Sequence, residues 1–164
     1  MSVVCAALAV NAGAAESIPD ACRLLSRAEI QGAIGGTATG FEHATTFRDG
    51  STSICQGSVG GATITVRDSI ESKQDNASER TIAQMMSSSG GDVETATTGA
   101  VTCTTTVPSQ SMMEYGFDSI CKIGQDGREV AVQASTRDRK AMVPVKALRQ
   151  LVTLAGNRFG RDGH

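Results

Sequence analysis

Ser119-Ile120-Cys121-Lys122 sets a serine three residues before a lysine, the Ser-x-x-Lys spacing of penicillin-binding acyl-transfer enzymes. That chemistry needs both side chains one helical turn apart. Here the residues lie in Phe117–Ile123, which reads as a strand, where i and i+3 point to opposite faces. No Ser-Asp-Asn or Lys-Thr-Gly follows. His43 is the only histidine in the body of the chain, since His164 is terminal. It is therefore the only base a serine or cysteine triad could use. Its polar surroundings read as a loop with a solvated imidazole. No Gly-x-Ser-x-Gly elbow, P-loop or dinucleotide fingerprint occurs. The acidic residues are scattered, with no pair placed for glycosidase work. Met85-Met86 and Met112-Met113 could offer soft ligands to copper. The first pair falls on a helical stripe and reads as core; the second has no nearby His or Cys.

Five cysteines remain, at positions 5, 22, 55, 103 and 121. Cys5 lies in MSVVCAALAVNAGAAES, an apolar run followed by small residues. Ala12-Gly13-Ala14 has the A-x-A form of a signal-peptidase site, so residues 1–15 are expected to be a signal peptide, leaving Ala15 or Glu16 first. No Lys or Arg precedes the run, as in a signal truncated at its own start. The run is too short to span a membrane, and Cys5 does not follow a lipobox-like triplet. Residues 16–164 then form a single exported domain, periplasmic or secreted. Cys22, Cys55, Cys103 and Cys121 are an even set in an exported chain, which implies two disulfides in one of three pairings. None forms C-x-x-C, and one histidine is a poor start for a zinc site.

The composition is 40% apolar and 20% charged, that of a folded domain and not of a disordered chain. With four Phe, one Tyr and no Trp, the core must come from aliphatic residues. A formal charge of −2 argues against nucleic acid and against a polybasic membrane anchor.

The elements that must position these residues can be read along the chain. Pro19–Leu25 is a short helical turn with Asp20 near its start. Ser26-Arg27-Ala28-Glu29 is a capping box, opening a helix with Ala28, Ile30, Ala33 and Ile34 to bury and Gly35-Gly36 to end it. Residues 37–52 are polar, with Phe41 and Phe47 on an edge strand. Ser53–Ser58 and Ala62–Ser69 flank Gly60-Gly61 as a hairpin. A second helix begins near Asn76-Ala77-Ser78-Glu79, with Ile82, Met85 and Met86 as its stripe. Val101–Val107 is a strand ended by Pro108. Ser109–Gly116 is a loop carrying Met112, Met113 and Tyr115. Phe117–Ile123, the Gln125-Asp126-Gly127 turn and Arg128–Ser135 form another hairpin. Arg137–Lys140 is a charged connection. Val145, Leu148, Leu151, Val152, Ala155 and Phe159 mark the last and strongest amphipathic helix, with Pro144 at its start.

Two segments resemble one another: SICQGSVGGATITVRDS from Ser53 and SICKIGQDGREVAVQAS from Ser119. They match without a gap at Ser, Ile, Cys, the turn Gly, Val and the last Ser. The expected fold is α+β: an antiparallel sheet of about five strands packed against two or three helices, built as a pseudo-repeat of hairpin–helix units.

Ile18-Pro19-Asp20-Ala21-Cys22-Arg23-Leu24-Leu25-Ser26-Arg27-Ala28-Glu29 resembles the opening of a broad group of small exported bacterial proteins, Asp-Ala-Cys-x-Leu-Leu-Ser/Thr-x-Ala-Glu. Cys55 stands for the group's second Cys, Lys122–Val132 for its hairpin and Val143–Phe159 for its closing helix. Gln56 departs from the aromatic usual after that Cys. The resemblance implies a Cys22–Cys55 bridge, leaving Cys103 with Cys121 as an addition to the pattern. It implies no catalytic residue and no cofactor.

The expected function is an exported, disulfide-stapled, non-catalytic domain that binds an unknown protein or small ligand in the envelope. Its sheet face, or the loop with Met112, Met113 and Tyr115, would make the contact. The alternatives are an inhibitor or immunity protein of a secreted or envelope enzyme, and a hydrolase using His43.

Overall fold

The structure is a computed structural model. It describes residues 18, 20–46, 51–70, 81, 84–125 and 127–159. The expected signal peptide, Cys5, Phe47, Asn76–Glu79, Ile82, Asp126 and the last five residues lie outside that set.

Asp20 opens the described chain by accepting the Cys22 N–H at 3.0 Å, which caps a 3-10 turn over Ala21–Arg23. The capping box then forms as expected. The Glu29 N–H donates to Ser26 Oγ at 3.3 Å and the Ser26 N–H donates to Glu29 Oε2 at 2.8 Å, starting helix α1 (Arg27–Ile34). Ile30 is fully buried, Ala33 and Ile34 half-buried, and Ala28 faces solvent instead of the core.

Seven antiparallel strands follow: β1 (Ala38–Thr46), β2 (Thr52–Val59), β3 (Ala62–Ile70), β4 (Asp92–Thr98), β5 (Val101–Val107), β6 (Phe117–Gln125) and β7 (Arg128–Thr136). They form one sheet in the order β1-β2-β3-β7-β6-β5-β4. The sheet exceeds the expected five strands because β1 runs in full along its edge and β4 adds the opposite one. Ser109–Gly116 is not an irregular loop: Gln110–Tyr115 is a 3-10 helix. Asp138 caps another 3-10 turn in the charged connection, accepting the Lys140 N–H at 2.9 Å.

Helix α2 (Val145–Phe159) packs across β5, β6 and β7 and against α1. Ala147, Leu148, Leu151, Val152 and Ala155 recur at helical spacing and are all buried. Gly156 lets the helix approach β6: a Cβ there would lie 3.0 Å from Ile123. Beneath it Val66, Val130 and Val132 point inward with both SIC cysteines. Residues 84–88 are helical, with Met86 buried. Met85 is 52% exposed, which corrects its expected place in the core.

The other sheet face carries polar side chains. Arg67 and Lys122 both bond Glu129, at 3.0 and 3.4 Å. Their registers flank Ala131, and their aliphatic stems keep this alanine 1% exposed on an otherwise open face. No described helix is long and apolar enough to cross a membrane.

The bridges are Cys22–Cys55 and Cys103–Cys121. The repeated serines have matching work. Ser53 accepts the Ala21 N–H at 3.0 Å, and Ser119 donates to Thr105 Oγ1 at 3.3 Å. In both copies of SIC the Ser and Cys face inward and tie an earlier segment to their own strand: the 3-10 turn to β2 in the first copy, and β5 to its neighbour β6 in the second.

Candidate functional site

Among the described residues, an open cleft lies at the end of the sheet where the β2–β3 turn meets the end of β7. It has a volume of about 450 Å3 and is lined by Gly61, Thr63, Glu114, Tyr115, Gly116, Ser135, Thr136 and Arg137. Three separate stretches of chain build it. Gly60 and Gly61, at φ +58° and +88°, turn β2 into β3. Thr63 then pairs with Ser135 across β3 and β7. The Thr136 hydroxyl donates to the Gly61 carbonyl at 3.2 Å, joining the turn to the strand end.

The third stretch is the 3-10 helix. Its C-terminal Gly116 has φ +73°, and a Cβ there would sit 2.7 Å from the Thr136 carbonyl oxygen. Only glycine allows both the turn and this approach, which brings Tyr115 alongside β7. The Gly116 N–H donates to the Met113 carbonyl at 3.1 Å, closing the helix.

Tyr115 is 64% exposed, the most exposed large apolar side chain among the described residues. Glu114 and Arg137 are also exposed. An aromatic platform, a carboxylate, a guanidinium and three hydroxyls thus converge on one concave surface. Such a set recognises a partially apolar, polar-edged group by stacking and hydrogen bonding. Of the three residues expected to meet a partner, Tyr115 lines the cleft. Met113, 42% exposed, sits beside it on the same helix, while Met112 is half-buried. Thr63, Ser135 and Arg137 escaped sequence reasoning because they join the site only through the β3–β7 pairing.

Ser119 and Lys122 take opposite faces of β6: Ser119 is buried inward and Lys122 meets Glu129 outside. His43 is not in a loop. It lies in β1 opposite Cys55, with Nδ1 3.3 Å from Asp20 Oδ1. This imidazole–carboxylate pair lines no part of the cleft. Its sulfur neighbour, Cys22, is held in a disulfide.

Among the described residues, Asp68 is the one fully buried charge. Burial pushes its carboxyl up, against the Arg128 guanidinium at 2.6 Å, which stabilises the ionised form. Near α1, Arg158 grips both oxygens of Glu29 and donates to the Leu24 carbonyl at 2.8 Å. The Arg158 hydrogen bond first, then the Ser26 N–H and hydroxyl, hold the Glu29 carboxyl down at about 2. Both pairs fasten elements of the fold and lie apart from the cleft.

Compared with known proteins, the chain matches no family model and no curated protein.

Proposed function

We propose that this chain is an exported, disulfide-stapled binding domain that holds a protein partner of the cell envelope in the Tyr115 cleft. The observation that carries the reading is the convergence of Tyr115, Glu114 and Arg137 on a cleft of about 450 Å3, with Met113 exposed beside it. Aromatic, methionine and arginine side chains are the types enriched at protein interfaces. Two disulfides support an oxidising compartment. The inhibitor reading shares this surface: an exposed 3-10 helix bearing Met113 and Tyr115 could enter the active-site groove of an envelope enzyme.

The test is a photo-crosslinking amino acid placed at Tyr115 in cells, with the same probe at Thr97 as control. One discrete adduct at 115, absent at 97 and lost with Arg137→Glu, is the expected result. An adducted enzyme that regains activity when this protein is removed selects the inhibitor reading. Equal adducts at 115 and 97, or none, overturn the cleft as the binding surface.

A further inference from the structure

Asp20, Cys22 and His43 each offer a ligand atom, and these atoms lie within 4.8 Å of one another. Cys55 supplies a second sulfur beside the group, its own Sγ lying just outside that set while the bridge is closed. It is bonded to Cys22 and stands directly opposite His43 in the β1–β2 ladder. The four residues come from the 3-10 turn, β1 and β2, so only the folded chain brings them together. One carboxylate, one imidazole and two sulfurs form a ligand set that suits zinc.

The spacing also fits. A tetrahedral zinc with nitrogen and oxygen ligands at about 2.0–2.1 Å holds those two atoms roughly 3.3 Å apart. Nδ1 of His43 and Oδ1 of Asp20 are separated by 3.3 Å. Both side chains are more than two-fifths exposed, at 43% and 44%, so an ion can approach from solvent while Cys55 closes the inner side. What prevents binding in the oxidised protein is the disulfide, because its sulfurs are not thiolates.

We infer that Cys22, Cys55, His43 and Asp20 form a redox-gated zinc site, in which a metal clamp replaces the disulfide when the bridge is reduced. A dithiol supplies the two electrons and two protons that split the sulfur–sulfur bond, and leaves as its own disulfide. Zinc then displaces the two thiol protons to solvent and binds both thiolates, His43 and Asp20. The exchange keeps the 3-10 turn fastened to the sheet, with Ala21 and Leu24 in the core, under conditions that would otherwise free it. Cys103 and Cys121 provide an internal contrast: among the described residues, no histidine or carboxylate groups with them.

The experiment uses the full chain carrying Cys5→Ser. It is reduced without oxygen, freed of reductant, and titrated with Co2+ and then Zn2+. The expected result is one equivalent of Co2+ with the thiolate charge-transfer and intense visible bands of a tetrahedral site, displaced by Zn2+. The oxidised protein shows neither. Cys103→Ala/Cys121→Ala retains the site and Cys22→Ala/Cys55→Ala loses it. His43→Ala and Asp20→Ala each weaken binding about tenfold or more. Circular dichroism follows the fold in parallel, and reduced protein that loosens without metal is expected to recover with Zn2+. The inference is overturned if the reduced chain gives no tetrahedral spectrum. Equal binding by Cys22→Ala/Cys55→Ala, or unchanged affinity in both His43→Ala and Asp20→Ala, also overturns it.

Discussion

Asp68 and Glu29 carry opposite shifts, and each makes a different prediction. Asp68 has no exposure, while its partner Arg128 keeps 27%. Removing the arginine strands a buried carboxylate; removing the carboxylate leaves a guanidinium that can reach water. Arg128→Ala should therefore cost about 3 kcal/mol and Asp68→Asn markedly less, measured by urea unfolding. The raised carboxyl sets the pH sign. Its protonated form is favoured in the fold, so the Arg128→Ala deficit should shrink as pH falls from neutrality through the raised value. Glu29 behaves the other way. With its carboxyl lowered from 4.5 to about 2, its contribution is complete above pH 4.5 and lost as pH falls from there toward 2. Arg158 is 41% exposed, so solvent screening leaves on the order of 1–2 kcal/mol at stake. Glu29→Gln should flatten the acid limb of stability in that window, and an unchanged acid limb would mean the pair is solvated in solution.

Among the elements, α1 and α2 were legible because each has a physical start signal or one long apolar stripe. The two SIC hairpins were legible from alternation around glycine turns. Strand β4 was not. Among its residues Val93 alone is half-buried and the rest are exposed on both faces, so no alternation of apolar and polar residues marks it. Its threonines instead bond across to β5, Thr95 to Thr104 at 3.1 Å and Thr97 to Thr102 at 3.2 Å. The 3-10 helix before β6 was hidden for a similar reason, since none of its residues is buried. The candidate cleft was half legible: Tyr115 announces itself as the chain's lone tyrosine, whereas Thr63 and Arg137 are ordinary until the strands pair. In the first hairpin, Gly57 is not a turn residue. A Cβ there would fall 2.5 Å from the Phe41 ring, which lies over it from β1. Gly57→Ala should expel that ring and lower stability by about 1–3 kcal/mol. Pairing it with Phe41→Leu should recover part of the loss in the same thermal melts.

At the scale of the whole molecule, the repeated segment acquires a geometric meaning. Cys55 faces Val66 in the first hairpin and Cys121 faces Val132 in the second. The two hairpins then meet antiparallel along β3 and β7, where Val66 pairs with Val132. Each valine is thus opposite its own counterpart, as a local two-fold through that pair requires. Neither bridge crosses this axis. Cys22–Cys55 ties a segment of 33 residues in the first half, and Cys103–Cys121 ties 18 in the second. By loop-closure reasoning they contribute about 4 and 3 kcal/mol, each to its own half.

The β3–β7 seam therefore has a consequence for how the protein can be taken apart. Among the described residues, the main chain is the sole covalent link between the halves. The rest is noncovalent: the paired strands from Thr63–Ser135 to Ile70–Arg128, the packing of α1 on α2, and side-chain links such as Glu29–Arg158, Asp68–Arg128 and Thr136–Gly61. A protease cut within residues 71–80 should leave two oxidised fragments that co-elute as one folded unit. Mild urea should part them, and dilution should rejoin them without reductant, each keeping its own bridge. The molecule would then behave as a two-piece assembly whose pieces are made on one chain, with β3 and β7 as the mating edges.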